Sequence, residues 1–136
     1  KCTASGISLL KGENSDEVAV FEGFFDFLSW VEDQGIDSLP CDVCVLNSVS
    51  NLKRALSFLN EHHEIHLNLD NDRAGNEAAA QIEYFCMNEE TRVVRMSHMF
   101  DGYKDYNEML TTKTSTPKTN SYGKFTERCS EQTEQH

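Results

Sequence analysis

Val18-Ala19-Val20-Phe21-Glu22-Gly23-Phe24-Phe25-Asp26 opens as a continuous β-prone run that breaks at Glu22-Gly23. A run without polar alternation is expected for a strand covered on both faces. Beyond the break, Phe24, Phe27, Leu28 and Val31 recur at i, i+3, i+4, i+7, the spacing of an amphipathic helix. Gly35 is placed to end that helix. Upstream, Ile7–Leu10 is a short apolar stretch, and Gly12-Glu13-Asn14-Ser15-Asp16 reads as a turn.

The pattern repeats downstream. Val43–Leu46 is a second strand, Asn47–Ser50 offers capping side chains, and Leu52, Ala55, Leu56 and Leu59 fall on one helical face. Ile65, Leu67 and Leu69 alternate along a third strand. Asp70-Asn71-Asp72-Arg73-Ala74-Gly75 follows, then a helix from about Asn76 to Met87 with Ala78, Ala79, Ile82 and Phe85 inward. Arg92–Met96 is a fourth strand. Asp105 to Leu110 is a short helix in which Asp105 caps and Glu108 stands three residues on. Strands alternating with helices predict an α/β fold with about four mainly parallel strands flanked by helices. The domain spans 17–111, after a lead-in at 1–16. Residues 112–136 hold few large apolar residues (Tyr122 and Phe125) and read as a flexible tail or a linker.

Composition narrows the function. The 136 residues include 12 Lys+Arg and 23 Asp+Glu, a formal net charge of −11. That argues against a free-standing nucleic-acid clamp and against docking on an anionic membrane. No apolar stretch is long enough for a membrane span and no secretory leader opens the chain. Lys1 stands where an initiator Met would, so an excised fragment is expected. Cys41-x-x-Cys44 is a single CxxC without a second ligand pair. It reads as reduced structural thiols of a cytoplasmic protein, ahead of zinc completed by His62, His63 and His66.

In an open α/β sheet, ligands bind beyond the carboxyl ends of the strands. Glu22 lies at the end of the first strand, Asp26 one helical turn on, Asp70 and Asp72 at the end of the third strand, and Asp105 beyond the fourth. Five carboxylates therefore share one rim, where they repel unless protonated or neutralised. Mg²⁺, an oxygen-seeking ion that also takes substrate phosphates, suits such a set. Individually the acids have plainer readings. Asp70-x-Asp72 could cap a helix, Asp105 has the capping role already given, and Asp26 could be a solvated helix residue.

The conjunction of Glu22-Gly23-x-x-Asp26 with Asp70-x-Asp72-x-Ala74-Gly75 resembles the Toprim domain, a Rossmann-like fold shared by topoisomerases, DnaG-type primases, OLD-family nucleases and RecR-type proteins. The resemblance covers roughly residues 7–111. Asp101-Gly102-Tyr103-Lys104-Asp105-Tyr106-Asn107-Glu108 is similar to a segment of the primase branch, in detail to primase-related proteins of bacterial mobile elements and Bacteroides-type genomes. The resemblance implies the catalytic core of a DNA primase. In it, Glu22, Asp70 and Asp72 would be catalytic, and Glu22, Asp26, Asp70, Asp72 and Asp105 would hold Mg²⁺ or Mn²⁺. The implied partners are nucleoside triphosphates, a DNA template and a replicative helicase, with no membrane. Of the nearby cations Lys53, Arg54, Arg73 and Lys104, Arg73 and Lys104 are the candidates for phosphate contact, Arg73 first because it stands beside the acid pair; its plainer reading is a surface salt bridge to a neighbouring acid. Asn107 departs from the pattern, standing where primases often carry a second Asp. The zinc ribbon and the basic template-holding subdomain of such primases are absent, so the fragment alone is expected to be inactive.

Two other classes stand beside this one. A topoisomerase or nuclease would cleave DNA, and a topoisomerase needs a Tyr nucleophile, for which Tyr84, Tyr103, Tyr106 and Tyr122 have no motif. A RecR-like scaffold would not be catalytic. A receiver domain is disfavoured, because its paired acids would follow the first strand. His66 and Asn68 occupy the second face of the third strand, where incomplete helix cover or mutual hydrogen bonding is the expected reason. Trp30, Phe24, Phe25 and Phe27 are expected in the core.

Overall fold

In a computed structural model, residues 6–113 are described. Cys2, Tyr122, Phe125, Cys129 and all but the first two residues of the expected tail lie outside them. Five strands form one sheet: β1 (Ser8–Leu10), β2 (Asn14–Phe21), β3 (Cys41–Val45), β4 (Glu64–Asn68) and β5 (Arg92–Arg95), in the order β1-β3-β2-β4-β5. The four expected strands are the parallel ones. The fifth, β1, comes from the expected lead-in and pairs antiparallel with β3, Leu9 opposite Cys44. Its three residues are too short to read as a strand alone, and pairing with the wholly buried β3 orders them.

The apolar runs explain the layers. Val18, Val20 and Phe21 have no exposed surface, and Ala19 has 2%. Val18 and Val20 face a core with Cys44, Ile65 and Leu67 under α2 (Leu52–Leu59) and α3 (Arg73–Cys86). Ala19 and Phe21 face the other core, with Val43 and Val45, under α1 (Phe24–Gln34). Each fully buried Val or Phe contributes roughly 1.5–3 kcal/mol. The helix α4 (Tyr106–Lys113) packs beside α1, and Tyr106 joins Phe100 and Met109 in a third small cluster. Gly35 ends α1 in the left-handed region at φ 62°. Among the described residues no helix is long and apolar enough to cross a membrane.

Several local expectations change. The turn at Gly12–Asp16 is shorter than its composition suggests: β2 starts at Asn14, with a register shift against β3 before Val18. Asp42 lies in the middle of buried β3 with no exposed surface. It accepts from the Gly12 N–H (2.9 Å) and Lys11 Nζ (3.2 Å), and its Oδ2 lies 2.9 Å from His62 Nε2. Burial alone would raise its pKa, but these hydrogen bonds hold the carboxyl below the usual range. In α3 the inward residue is Cys86, and Phe85 is exposed, because the buried stripe runs Gly75, Ala79, Ile82, Cys86. Phe27 is core, as expected, but Phe24 and Phe25 are exposed in the first turn of α1, where no element covers them.

Candidate functional site

The chain leaves β2 toward α1 on one face and β4 toward α3 on the other. The crevice between the ends of β2 and β4 is therefore a switch point of the sheet. Parallel pairing sets Val20 against Leu67 and Phe21 against Asn68, so Glu22 emerges beside Asp70. The Asp70 N–H donates to Glu22 Oε1 at 3.4 Å. Asp26 sits in the first turn of α1 and is 6% exposed. It accepts from the Asn107 N–H of α4 at 3.1 Å. Asp105, immediately before α4, accepts the Glu108 N–H at 2.7 Å, the cap anticipated from the sequence.

These constraints bring one carboxylate oxygen each of Asp26, Asp70 and Asp105 within 4.8 Å of one another. Asp70 is 8% exposed, and its Oδ1 is buried with no hydrogen-bond partner. A buried acceptor left this way is costly. Burial first, then the charges of Glu22, Asp26, Asp105 and Asp72, push the Asp70 carboxyl up to about 8. Burial likewise lifts Asp26 to about 6 against the opposing Asn107 N–H, with the Asp105 charge adding to the rise. Glu22 is raised by burial and by Asp72, and lowered by the Asp70 N–H and by Lys104. Such a donor set, oxygen-only and mutually repelling, fits a hard divalent cation; Asp26, Asp70 and Asp105 are close enough together that they could hold one.

Because both aspartic acids hold protons more tightly in the folded than in the unfolded chain, their contribution to stability is complete below about pH 4. It is lost as pH rises through about 6 and then about 8. The metal-free domain is therefore expected to melt at progressively lower temperature across that window, and saturating Mg²⁺ is expected to flatten the slope. A metal-free melting profile that stays level or climbs there contradicts the account.

Asp72 has the capping role: it is extended at φ −138° and its Oδ1 accepts the Gly75 N–H at 2.8 Å. Arg73 is 92% exposed and its Nε donates to Glu77 Oε1 at 3.0 Å, one helical turn on. The helix begins at Arg73, three residues before the sequence suggests, so Gly75 is in its first turn. A Cβ there would collide with the Asp70 carbonyl oxygen. Gly75→Ala is accordingly expected to cost about 3 kcal/mol, read as a lowered melting temperature; wild-type stability would refute the close approach.

Two residues that sequence reasoning passed over, or read as a defect, hold the site together. Asn71 donates its side-chain amide to Tyr103 O at 3.0 Å, with Ser97 O and Phe100 O each at 3.4 Å. Asn107, besides its backbone bond to Asp26, accepts Ser29 Oγ at 3.0 Å and so ties α4 to α1. Tyr106 is buried and donates to Asp33 Oδ2 at 2.6 Å, an arrangement that occupies its hydroxyl. Nothing in the local sequence signals the Asn71 contacts, whose acceptors are all backbone carbonyls.

The other candidate ligands do not converge here. Cys41 and Cys44 are three apart on a strand and fall in opposite cores. Burial pushes both thiols up to about 12, which makes them poor ligands and nucleophiles. His62 is taken up by Asp42 and by Phe58 O, 2.9 Å from its Nδ1. His66 lies between Glu64 (2.9 Å) and Glu17 (3.5 Å), which are direct cross-strand partners. It lies between two acids and is part-exposed, so cover is incomplete at His66, whereas Asn68 on the same face is buried.

The profile of the family described as Toprim-like matches residues 19–110. Two solved structures are similar in fold. One, the primase fragment of the bacteriophage T7 primase-helicase protein, is 23% identical with a TM-score of 0.55 over 76% of this chain and 41% of that one. The other is the bacteriophage T7 lagging-strand DNA polymerase interacting with primase domains of two gp4 subunits bound to an RNA/DNA hybrid and dTTP. It is 22% identical with a TM-score of 0.53 over 74% of this chain and 50% of that one. The chain thus spans at most half the length of either. No curated protein matches it.

Proposed function

Since the chain belongs to the Toprim-like family, we propose that it is the catalytic core of a primase-type nucleotidyltransferase that makes RNA primers for DNA replication. The observation that carries this is Asp70, whose buried Oδ1 has no hydrogen-bond partner and whose carboxylate is grouped with those of Asp26 and Asp105. Mg²⁺ or Mn²⁺ held there would supply positive charge where negative charge develops during phosphoryl transfer. In this reading Asp26, Asp70 and Asp105 hold the ion from three elements. Glu22 accepts the proton of the 3′-hydroxyl as that oxygen bonds to the α-phosphorus and pyrophosphate leaves; burial raises its pKa, which makes its carboxylate a stronger base. Asp72 caps α3 with one oxygen and has the other available to a second ion.

Lys104, whose charge reaches Glu22, meets the triphosphate. Arg73 joins it by releasing Glu77, an exposed pair of little energy. The nucleoside triphosphates, DNA template and replicative helicase belong to the longer protein, in a cytoplasmic setting, with the template's charge met outside this acidic core of residues 17–111. The test is an assay of the intact parent chain with single-stranded DNA, labelled nucleoside triphosphates and Mg²⁺ or Mn²⁺. Labelled oligoribonucleotide is expected. Strand cleavage without synthesis would replace this reading by a nuclease, and neither activity would leave a scaffold.

A further inference from the structure

We propose that Asn71 is a positioning residue that sets Asp105 into the cation site by gathering the loop between β5 and α4; the inference rests on the metal reading above. That loop runs from the 3₁₀ turn Ser97–Phe100 through Gly102, whose φ of 89° bends it, to Lys104. Asp105 is the next residue. The carbonyls of Ser97, Phe100 and Tyr103 all turn toward the one Asn71 carboxamide. The Asn71 backbone N–H donates to the Lys104 carbonyl at 2.5 Å. The loop is therefore held at both the side chain and the main chain of the residue between Asp70 and Asp72. A shift of the loop at Lys104 moves Asp105 with it and opens the group of three acids.

The chemistry also selects the side chain. The loop groups facing the Asn71 side chain are all acceptors, and Asn supplies two N–H donors at this reach, whereas an ionised Asp supplies none. The middle position of Asp70-Asn71-Asp72 is thus set by the loop it clasps. Asp105 has a separate tether through Glu108, and Glu108 Oε2 also accepts the Lys104 N–H at 2.8 Å. These bonds order the start of α4, and Asn107 and Tyr106 tie that helix to α1; Asn71 is what ties the loop before Asp105 to the end of β4.

The experiment is a double-mutant cycle on Mn²⁺ affinity, measured by calorimetry on the intact chain as wild type, Asn71→Ala, Asp105→Ala and both together. Asn71→Ala is expected to weaken Mn²⁺ binding about ten-fold or more, the usual loss when an outer partner of a ligand is removed. In the Asp105→Ala background the same change should move affinity by less than about two-fold, since its effect runs through Asp105. An unchanged affinity in the single variant, or an equal loss with and without Asp105, overturns the proposal. A purely structural role would lower the melting temperature without that coupling. Should the alanine variant fail to fold, Asn71→Ser, which keeps one donor, goes through the same cycle with the same criteria. Absence of Mn²⁺ binding by the wild type would instead overturn the metal reading, and this inference with it.

Discussion

Asp70→Asn is expected to lose the rise in melting temperature that Mg²⁺ or Mn²⁺ gives the wild type, and to be the more stable of the two above about pH 8 when no divalent cation is present. Both effects share one origin. Asp70 is 8% exposed, has one oxygen without a partner, and is lifted to about 8 by burial and by the charges of four neighbouring acids. Above that value the folded wild type carries a buried anion among like charges, and the neutral amide does not. A cation at one hundred times its dissociation constant stabilises a folded protein by about 2.7 kcal/mol. For a domain of this size that is roughly 10–20 °C. Thermal melts of both proteins with and without cation decide the matter. An equal cation-induced shift in the variant would mean that Asp70 takes no part in binding.

Glu22→Gln in the intact parent chain is expected to reduce primer synthesis by about 10²–10⁴, the usual contribution of a positioned acid or base. Its fold should be unchanged. Glutamine keeps the shape and the acceptor that receives the Asp70 N–H, and it removes the basic oxygen and a charge that burial disfavours. Initial rates on a defined template, with melting temperature as the control for folding, measure it. A normal primer yield from folded Glu22→Gln would exclude Glu22 from the chemistry.

Much of the architecture was legible because its signals are local. The unbroken run Val18–Phe21, the alternation of Ile65, Leu67 and Leu69, and the helical spacing of Leu52, Ala55 and Leu59 each arise within a dozen residues. The buried faces follow them. Where neighbours matter, the signal weakens. The three residues Ser8–Leu10 become a strand only because β3 offers an edge. Asp42, an acid inside a buried strand, looks like an interruption until Gly12, Lys11 and His62 surround it.

That Glu22, Asp26, Asp70, Asp72 and Asp105 lie along one rim of a mainly parallel sheet is written in the residue pattern, because strand ends follow from periodicity and parallel strands end on the same side. Which of those acids meet was decided only by the tertiary structure. Asp26, Asp70 and Asp105 form the close group, and Asp72 turns to cap α3. The physical reason is the path of the loop from Ser97 to Lys104. Its anchors are backbone carbonyls, and since every residue carries one, no choice of side chain along that loop records where it will be held.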